Sequence, residues 1–468
     1  MQKYIVSNRT DANCARFYNM TLAFYVSKRF GVEFLFDWGQ VDVGIENDDV
    51  YKEWQGQRML GCKVDTKECY FDEVFLKEHY IDLKAQDENK VWNFHKPYPA
   101  PFKNINDFKD FFYKSDYVYY DLSDANTINS WAFTEFQPHT VWFFEWFKFS
   151  PNINKLIDKA KEIALSFKNG FVAFHLRCGE LYPYNISNQY PHLNTYFSNI
   201  HFILHFIEMV SLKYSVIVFS DDVDTVNLMI DKLGLKNVIS ADTLRKFDNY
   251  SVGELLMFDL ALMSMAVEIY GSGNSSVSNL ASLINSASLN LRSIYYLANS
   301  KEHYYSIKDK VKKYKFNPYH QSFSYLHLFL LAEKFKLDIK EQKQYLQKAM
   351  ELYPQNYKYK LYFAFYLARY ERTKNLEIFL ASINFEFFVD LLALSLEKTR
   401  DIRRFYLPYF FLASHKYPLI KRAFTRLETI DQKNGSFCRQ KICKHAIRAW
   451  FHKYCCHFNL FKKIIIHQ

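Results

Sequence analysis

FVAFHLRCGE, residues 171–180, is a short strand-like run that ends abruptly in a polar cluster of His175, Arg177, Gly179 and Glu180. Lys168, Asn169 and Gly170 bound it on the other side, so it is too short for a helix and reads as a strand buried on both faces, as in a parallel sheet. The sequence around it alternates in the same way. A helix starts at Ser150–Pro151, a serine cap with proline in the first turn, and runs through KLIDKAKEIAL (155–165). After the strand, a polar loop (178–194) leads to a helix in TYFSNIHFILHFIEMVSLKY (195–214), and SVIVFS (215–220) is a strand ending in Asp221–Asp222. VDTVNLMIDKLGL (223–235) is a helix stopped at Gly234, and NVISA (237–241) is a strand. SVGELLMFDLALMSMA (251–266) is a helix with Ser251 and Glu254 spaced as a capping box. VEIYGSG (267–273) is a strand running into glycines, and NSSVSNLASLINS (274–286) opens another helix. Strand and helix alternate without hairpin signals, which predicts a doubly wound parallel sheet.

The amino terminus repeats the pattern. YIVS (4–7) is a strand, NRTDANC (8–14) a polar loop, Ala15 to Arg29 a helix stopped at Gly31, and VEFLF (32–36) the next strand. This places Arg9, Asp11 and Asn13 on the carboxyl edge of a sheet, where such folds bind ligands. Residues 40–140 hold short apolar clusters, three prolines in WNFHKPYPAPF (92–102) and a strand in YVYYDL (117–122). The fold class is therefore α/β, with two facing Rossmann-like domains at 1–150 and 151–304. From 305 helices dominate, and LQKAMELYPQNYKYKLYFAFYLARY (346–370) looks like one tetratricopeptide unit, helix, turn and helix. One unit makes no array, so 305–432 reads as a helical appendage. Residues 433–468 form a separate tail.

The charge of the chain is uneven. The tail carries Lys433, Arg439, Lys441, Lys444, Arg448, Lys453, Lys462 and Lys463 and no acid, against a net charge of +10 for the whole chain. Trp450, Phe451, Phe458 and Ile464 to Ile466 are interleaved with these bases. Such a segment either lies on an anionic membrane surface or packs as a helix with a solvated basic face. No base-reading module accompanies it, so nucleic acid is not an expected partner. The eight cysteines lack a regular framework, and the four in the tail lack a C-x-x-C pair, which argues for reduced thiols and against zinc. The start, MQKYIVSNRTD, has no secretory core, and no apolar run reaches the roughly 18 residues of a span. A cytoplasmic protein is expected, with any membrane contact peripheral.

The chemistry gathers in the second α/β unit. Arg177 at a buried strand end either pairs its planar fork with an anion such as phosphate or forms an ion pair with Glu180. GSGNSSVSN (271–279) is a glycine-bearing turn into a helix, whose free N–H groups and Ser275 and Ser276 hydroxyls either cradle a phosphate or form an ordinary cap. Asp221 and Asp222 at a strand end either bind a metal or a sugar hydroxyl or cap the helix that follows, and capping is expected for at least one of them. Asp259, within an apolar helix, needs a donor such as a base edge or an arginine.

In order and spacing these elements resemble the fucosyltransferase superfamily of GT-B fold, which includes bacterial α-1,2-fucosyltransferases, NodZ-type enzymes and protein O-fucosyltransferases. His175-Leu176-Arg177-Cys178-Gly179-Glu180 looks like the family's H-x-R-x-G-D, and Phe219-Ser220-Asp221-Asp222 is similar to its strand ending in S-D-D. Asp259 to Ser264, followed by Asn274 to Ser278, resembles its D-L-x-L-M-S and N-S-S-x-S. The likeness covers roughly residues 1–300. The chain departs from the family at Glu180 for Asp, at Cys178 where a second Arg is frequent, and in a first loop that keeps Asn13 but has no glycine.

The resemblance implies an inverting, metal-independent glycosyltransferase with no cofactor other than its donor, GDP-fucose or another nucleotide sugar. It implies that Arg177 and His175 are catalytic, with Arg177 on the β-phosphate and His175 against the nucleotide. Asp222, Asp259, Ser275 and Ser276 complete the donor site, Asp259 accepting from the guanine edge, while Arg9, Asp11 and Asn13 lie in the acceptor-side loop. The implied acceptor is a glycan or lipid-linked glycan of surface polysaccharide or lipopolysaccharide. The alternative is a scaffold whose α/β core no longer turns over.

Overall fold

The computed structural model of the chain describes residues 2–10, 12–39, 51–54, 56–61, 63–93, 102, 104–123, 137–177, 199–246, 249–272, 275–286, 291–297, 299–371, 373–389, 417–423 and 425. They fall into two compact units, Met1–Glu180 with Phe206–Leu297, and Leu181–His205 with Ala298–Gln468. Both sheets belong to the first unit.

In the amino-terminal sheet the strand order is β2 (Glu33–Phe36), β1 (Tyr4–Ser7), β6 (Tyr119–Asp121), β5 (Val91–Trp92), and every pairing is parallel. The helix α1 (Asn13–Phe30) connects β1 to β2 and ends where Gly31 takes a left-handed φ of 69°. That conformation favours glycine and lets the Gly31 amide close the last turn on Lys28 and Ser27. Phe17 packs edge to face on Phe71 and Phe143, and Phe36 packs at a tilt on Phe71, around this sheet.

In the second sheet the strand order is β11 (Leu291–Ser293), β10 (Glu268–Gly271), β7 (Phe171–Leu176), β8 (Ser215–Ser220), β9 (Val238–Ser240), again all parallel. All six residues of β7 are buried, as a central strand of a covered sheet requires. Its helices are α2 (Pro151–Ser166), α3 (Ile200–Ser211), α4 (Val223–Leu233), α5 (Val252–Met263) and α6 (Ser276–Ser286). The expected caps form: Ser150 Oγ accepts from the Ile153 amide, and Ser251 and Glu254 make a reciprocal capping box. Gly271 ends β10 where an added Cβ would press on the Ser278 side chain at 2.9 Å, so close packing with α6 requires glycine there.

One boundary needs correction: the α3 helix begins at Ile200, where the Asn199 side chain accepts from the Phe202 amide, and residues 195–198 lie outside the described set. Within 40–140, where the sequence pattern assigns few elements, an antiparallel hairpin forms from β3 (Tyr51–Trp54) and β4 (Gln57–Leu60), outside both sheets. Gly56 supplies its turn with φ 75°.

The described residues of the second unit are mainly helical, with α7 (Lys301–Lys313), α8 (Pro318–Lys334), α9 (Ile339–Leu352), α10 (Tyr357–Tyr370) and α11 (Thr373–Ala381). The pair α9 and α10 is the helix, turn and helix expected from 346–370. A buried polar chain ties the start of α3 to α8. His201 Nδ1 lies 2.7 Å from Ser324 Oγ, Ser324 Oγ lies 3.0 Å from Asn199 Oδ1, and Asn199 Nδ2 lies 3.0 Å from His327 Nδ1. Among the described residues no helix is long and apolar enough to cross a membrane. The basic tail 433–468 lies outside the described residues.

Candidate functional site

The carboxyl ends of β7 and β8, the start of α1, the end of β4, the segment after β9, the middle of α5 and the start of α6 converge on one pocket of about 90 Å³. His175 comes from β7 and Arg177 directly follows it, Phe219 and Ser220 come from β8 and Asp221 directly follows it, Asn13 and Cys14 come from α1, and Asp259 from α5. Residues more than 200 positions apart thus meet at the sheet edge where α/β folds bind ligands.

The pocket floor is set by an ion pair. Arg245 Nε donates to Asp259 Oδ1 at 2.9 Å, and Arg245 Nη2 donates to Asp259 Oδ2. Both side chains are buried. Burial raises the Asp259 carboxyl above its usual range, and Arg245 opposes that shift. The two-point contact keeps the carboxylate ionised. Each oxygen retains a lone pair for a second donor, and the pair presents cation and anion side by side.

His175 is buried beside this pair, and burial pushes its imidazole down to about 4, with Arg177 and Arg245 acting in the same direction and Asp221 opposing. The ring is therefore neutral near pH 7. Its Nδ1 is buried with no hydrogen-bond partner among the described residues, an atom that a ligand would satisfy. Ser275 repeats the situation at the mouth of α6. Its carbonyl accepts from the Asn279 amide at 3.0 Å, so it caps the helix, yet its buried hydroxyl has no partner among the described residues. The Cys14 thiol is pushed up to about 12 by burial and is no nucleophile.

A brace holds the pocket walls. Tyr70 Oη donates to Asn13 Oδ1 at 2.9 Å, and Asn13 Nδ2 donates to the Lys63 carbonyl at 3.2 Å. Asp65 Oδ2 accepts from Ser251 Oγ at 2.6 Å and from the Gly253 amide at 2.9 Å, fixing the start of the helix that carries Asp259. The hairpin closes another wall: the Leu60 amide donates to the Asp221 carbonyl at 2.7 Å, placing Leu60 and Gly61 in the lining.

Of the residues singled out from sequence, His175, Arg177, Asn13, Asp259 and Ser276 line the pocket, and Ser275 adjoins it in the chain. Asp222 is fully buried and accepts from the Thr225 amide at 3.1 Å as the cap of α4, while its neighbour Asp221 lines the pocket. Arg9 is not among the lining residues, and Asp11, Cys178, Gly179, Glu180 and Asn274 lie outside the described residues. Sequence reasoning did not single out Arg245, Asp65 or the hairpin. A lone arginine in LRKFDN (244–249) carries no local signal, although the requirement that Asp259 have a donor pointed to one. Among the described residues no three His, Cys, Asp or Glu side chains gather as a metal would require.

Neither a protein-family model nor a curated protein sequence matches the chain. Among solved structures it is similar to POFUT1 in complex with GDP, at 13% identity over 62% of this chain and 97% of that one, with a TM-score of 0.32. A point mutant of Arabidopsis thaliana FUT1 in complex with GDP shows 10% identity over 61% of this chain and 69% of that one, with a TM-score of 0.34. NodZ α-1,6-fucosyltransferase soaked with GDP-fucose shows 14% identity over 61% of this chain and 93% of that one, with a TM-score of 0.33. These scores describe a remote likeness, and the functional reading rests on the residues of the chain itself.

Proposed function

We propose that the chain is a glycosyltransferase that takes its sugar from a nucleotide diphosphate donor, GDP-fucose being favoured, and delivers it to a glycan acceptor. The observation that carries this reading is the convergence of His175, Arg177, Asp221, Asp259 and Ser276, drawn from three sequence-distant motifs, on one pocket. The reading assigns the diphosphate to Arg177 and to the start of α6, where the helix N-terminus and the Ser275 and Ser276 hydroxyls offer donors to an anion. Neutral His175 meets the nucleotide through Nδ1, and the remaining lone pairs of Asp259 accept from the base edge.

Transfer is a single displacement. The acceptor oxygen forms a bond to the anomeric carbon on the face opposite the leaving group. The bond from that carbon to the β-phosphate oxygen breaks, and its electron pair leaves with the diphosphate. The acceptor proton passes to a base at the acceptor side. Negative charge grows on the diphosphate as the bond breaks, so Arg177 binds the transition state more strongly than the ground state. The anomeric configuration inverts.

A thermal-shift comparison of GDP, UDP and CMP tests the donor. GDP is expected to raise the melting temperature most. A preference for UDP or CMP would remove the fucosyl assignment, and no stabilisation by any nucleotide would favour a non-catalytic scaffold. The surface-glycan acceptor belongs to the same proposal and is tested by transfer of labelled fucose to lipid-linked glycans.

A further inference from the structure

We propose that the amino-terminal edge of the five-stranded sheet, opposite the pocket, docks on an anionic lipid bilayer. The turns entering three neighbouring strands each carry an exposed lysine: Lys168 before β7, Lys213 before β8 and Lys236 before β9. Two hydrogen bonds, from Asn237 Nδ2 to the carbonyls of Ser211 and Tyr214, tie the last two turns together. The Val267 amide donates to the Phe171 carbonyl at 2.8 Å and brings the entrance of β10 into the same row.

Apolar side chains project among these cations. Leu165 is 84% exposed, Leu212 88%, Met209 54% and Val267 49%. Leu165 closes α2 just before Lys168, and Leu212 directly precedes Lys213. Among the described residues Lys168 and Lys236 have no carboxylate partner, and Lys213 lies over the Tyr214 ring at 4.8 Å. Glu268, the acid that opens β10, is bound to Arg292 at 3.0 Å and also acts on Lys213, which leaves one acid against three lysines and an arginine along this edge. The row is therefore cationic, with apolar points set beside its charges.

That pattern fits a bilayer better than a protein partner. Protein interfaces are built around a buried apolar centre from which lysine is depleted. Here single leucines stand out from different turns, each beside a lysine. Such leucines enter the acyl boundary while the lysines meet anionic headgroups, each lysine strengthening binding by about fivefold. The strands β7 and β8 are six residues long, so the pocket end of the sheet lies about 20 Å from this edge and stays open when it is docked.

The full chain is tested by co-sedimentation with phosphatidylcholine vesicles, with and without 30% phosphatidylglycerol. Tight binding is expected only to the anionic vesicles. The triple variant Lys168→Glu, Lys213→Glu, Lys236→Glu is expected to weaken it about a hundredfold. The double variant Leu165→Ser, Leu212→Ser, which leaves charge unchanged, is expected to weaken it about tenfold. Retention of the wild-type melting temperature shows that the variants fold. The proposal is overturned by unchanged binding in both variants, by equal binding to neutral vesicles, or by loss in the variants of self-association, which would make the edge an interface between copies. Residues 433–468 are present in every arm, so their contribution cancels. Nucleotide enters none of these arms, so failure of the donor assignment leaves the result standing.

Discussion

Arg245 and Asp259 make a two-point contact in the pocket floor, with Nε to Oδ1 at 2.9 Å and a second bond from Nη2 to Oδ2, and both side chains are buried. Breaking one partner strands the other, so Arg245→Ala leaves a carboxylate without its cation in a dry site. The expected cost is about 3–5 kcal/mol of unfolding free energy, read by denaturant titration. The double variant Arg245→Met, Asp259→Leu is expected to recover most of that loss, because it buries no charge. A loss in Arg245→Ala below about 1 kcal/mol would show that solvent reaches the pair.

Arg177 lines the same pocket and is the cation assigned to the leaving diphosphate. Arg177→Ala is expected to lower kcat by about 100- to 1,000-fold. Arg177→Lys should fall between, keeping the charge and losing the planar fork. Steady-state transfer or donor hydrolysis measures both variants, and near-wild-type turnover in Arg177→Ala would remove its assigned role.

Most of the second sheet was legible because its strands are short apolar runs bounded by caps and glycines. Ser150, Ser251 with Glu254, Gly31 and Gly234 all sit where local chemistry predicts. Asp259 declared its need for a partner, since a carboxylate inside an apolar helix must find a donor. Which donor was hidden, because Arg245 reaches it through a tertiary contact across 14 residues. The hairpin at 51–60 was missed for another reason. Its strands are four residues each and mix charges with aromatics, so neither period stands out. The sequence reading assigns Asp222 to the donor site, whereas Asp222 caps α4 and its neighbour Asp221 lines the pocket, a distinction that only the cap geometry makes.

Gly253 tests the brace between Asn13 and the start of α5. A methyl group there would overlap Tyr70 Oη and lie 2.5 Å from Asp65 Oδ2, both held in hydrogen bonds. Gly253→Ala is therefore expected to cost about 1–3 kcal/mol by overpacking. Tyr70→Phe alone should cost about 1 kcal/mol by removing its bond to Asn13. In the Tyr70→Phe background Gly253→Ala should cost less, because the clashing oxygen is gone. A double-mutant cycle by denaturant unfolding reads this coupling, and strict additivity would show that the two groups do not meet.

Two buried histidines predict a pH dependence of stability in the helical unit. Burial pushes His201 down to about 3 and His327 down to about 4, and the bond to the Tyr314 carbonyl only partly offsets the shift at His201. His201 Nε2 lies 3.1 Å from that carbonyl and Nδ1 lies 2.7 Å from Ser324 Oγ. The folded values lie below the unfolded value of 6.5, so the unfolded chain binds more protons between them. Stability contributed by these neutral rings is complete above that unfolded value and is lost as pH falls toward the folded values. Each ring contributes a slope of about 1.4 kcal/mol per pH unit within its window. Denaturant titrations between pH 7.5 and 5 are expected to show the loss, and His327→Gln, which keeps an acceptor for Asn199, should reduce the slope by one proton. An equal slope in the variant would mean that His327 protonates as readily in the folded chain as in the unfolded one.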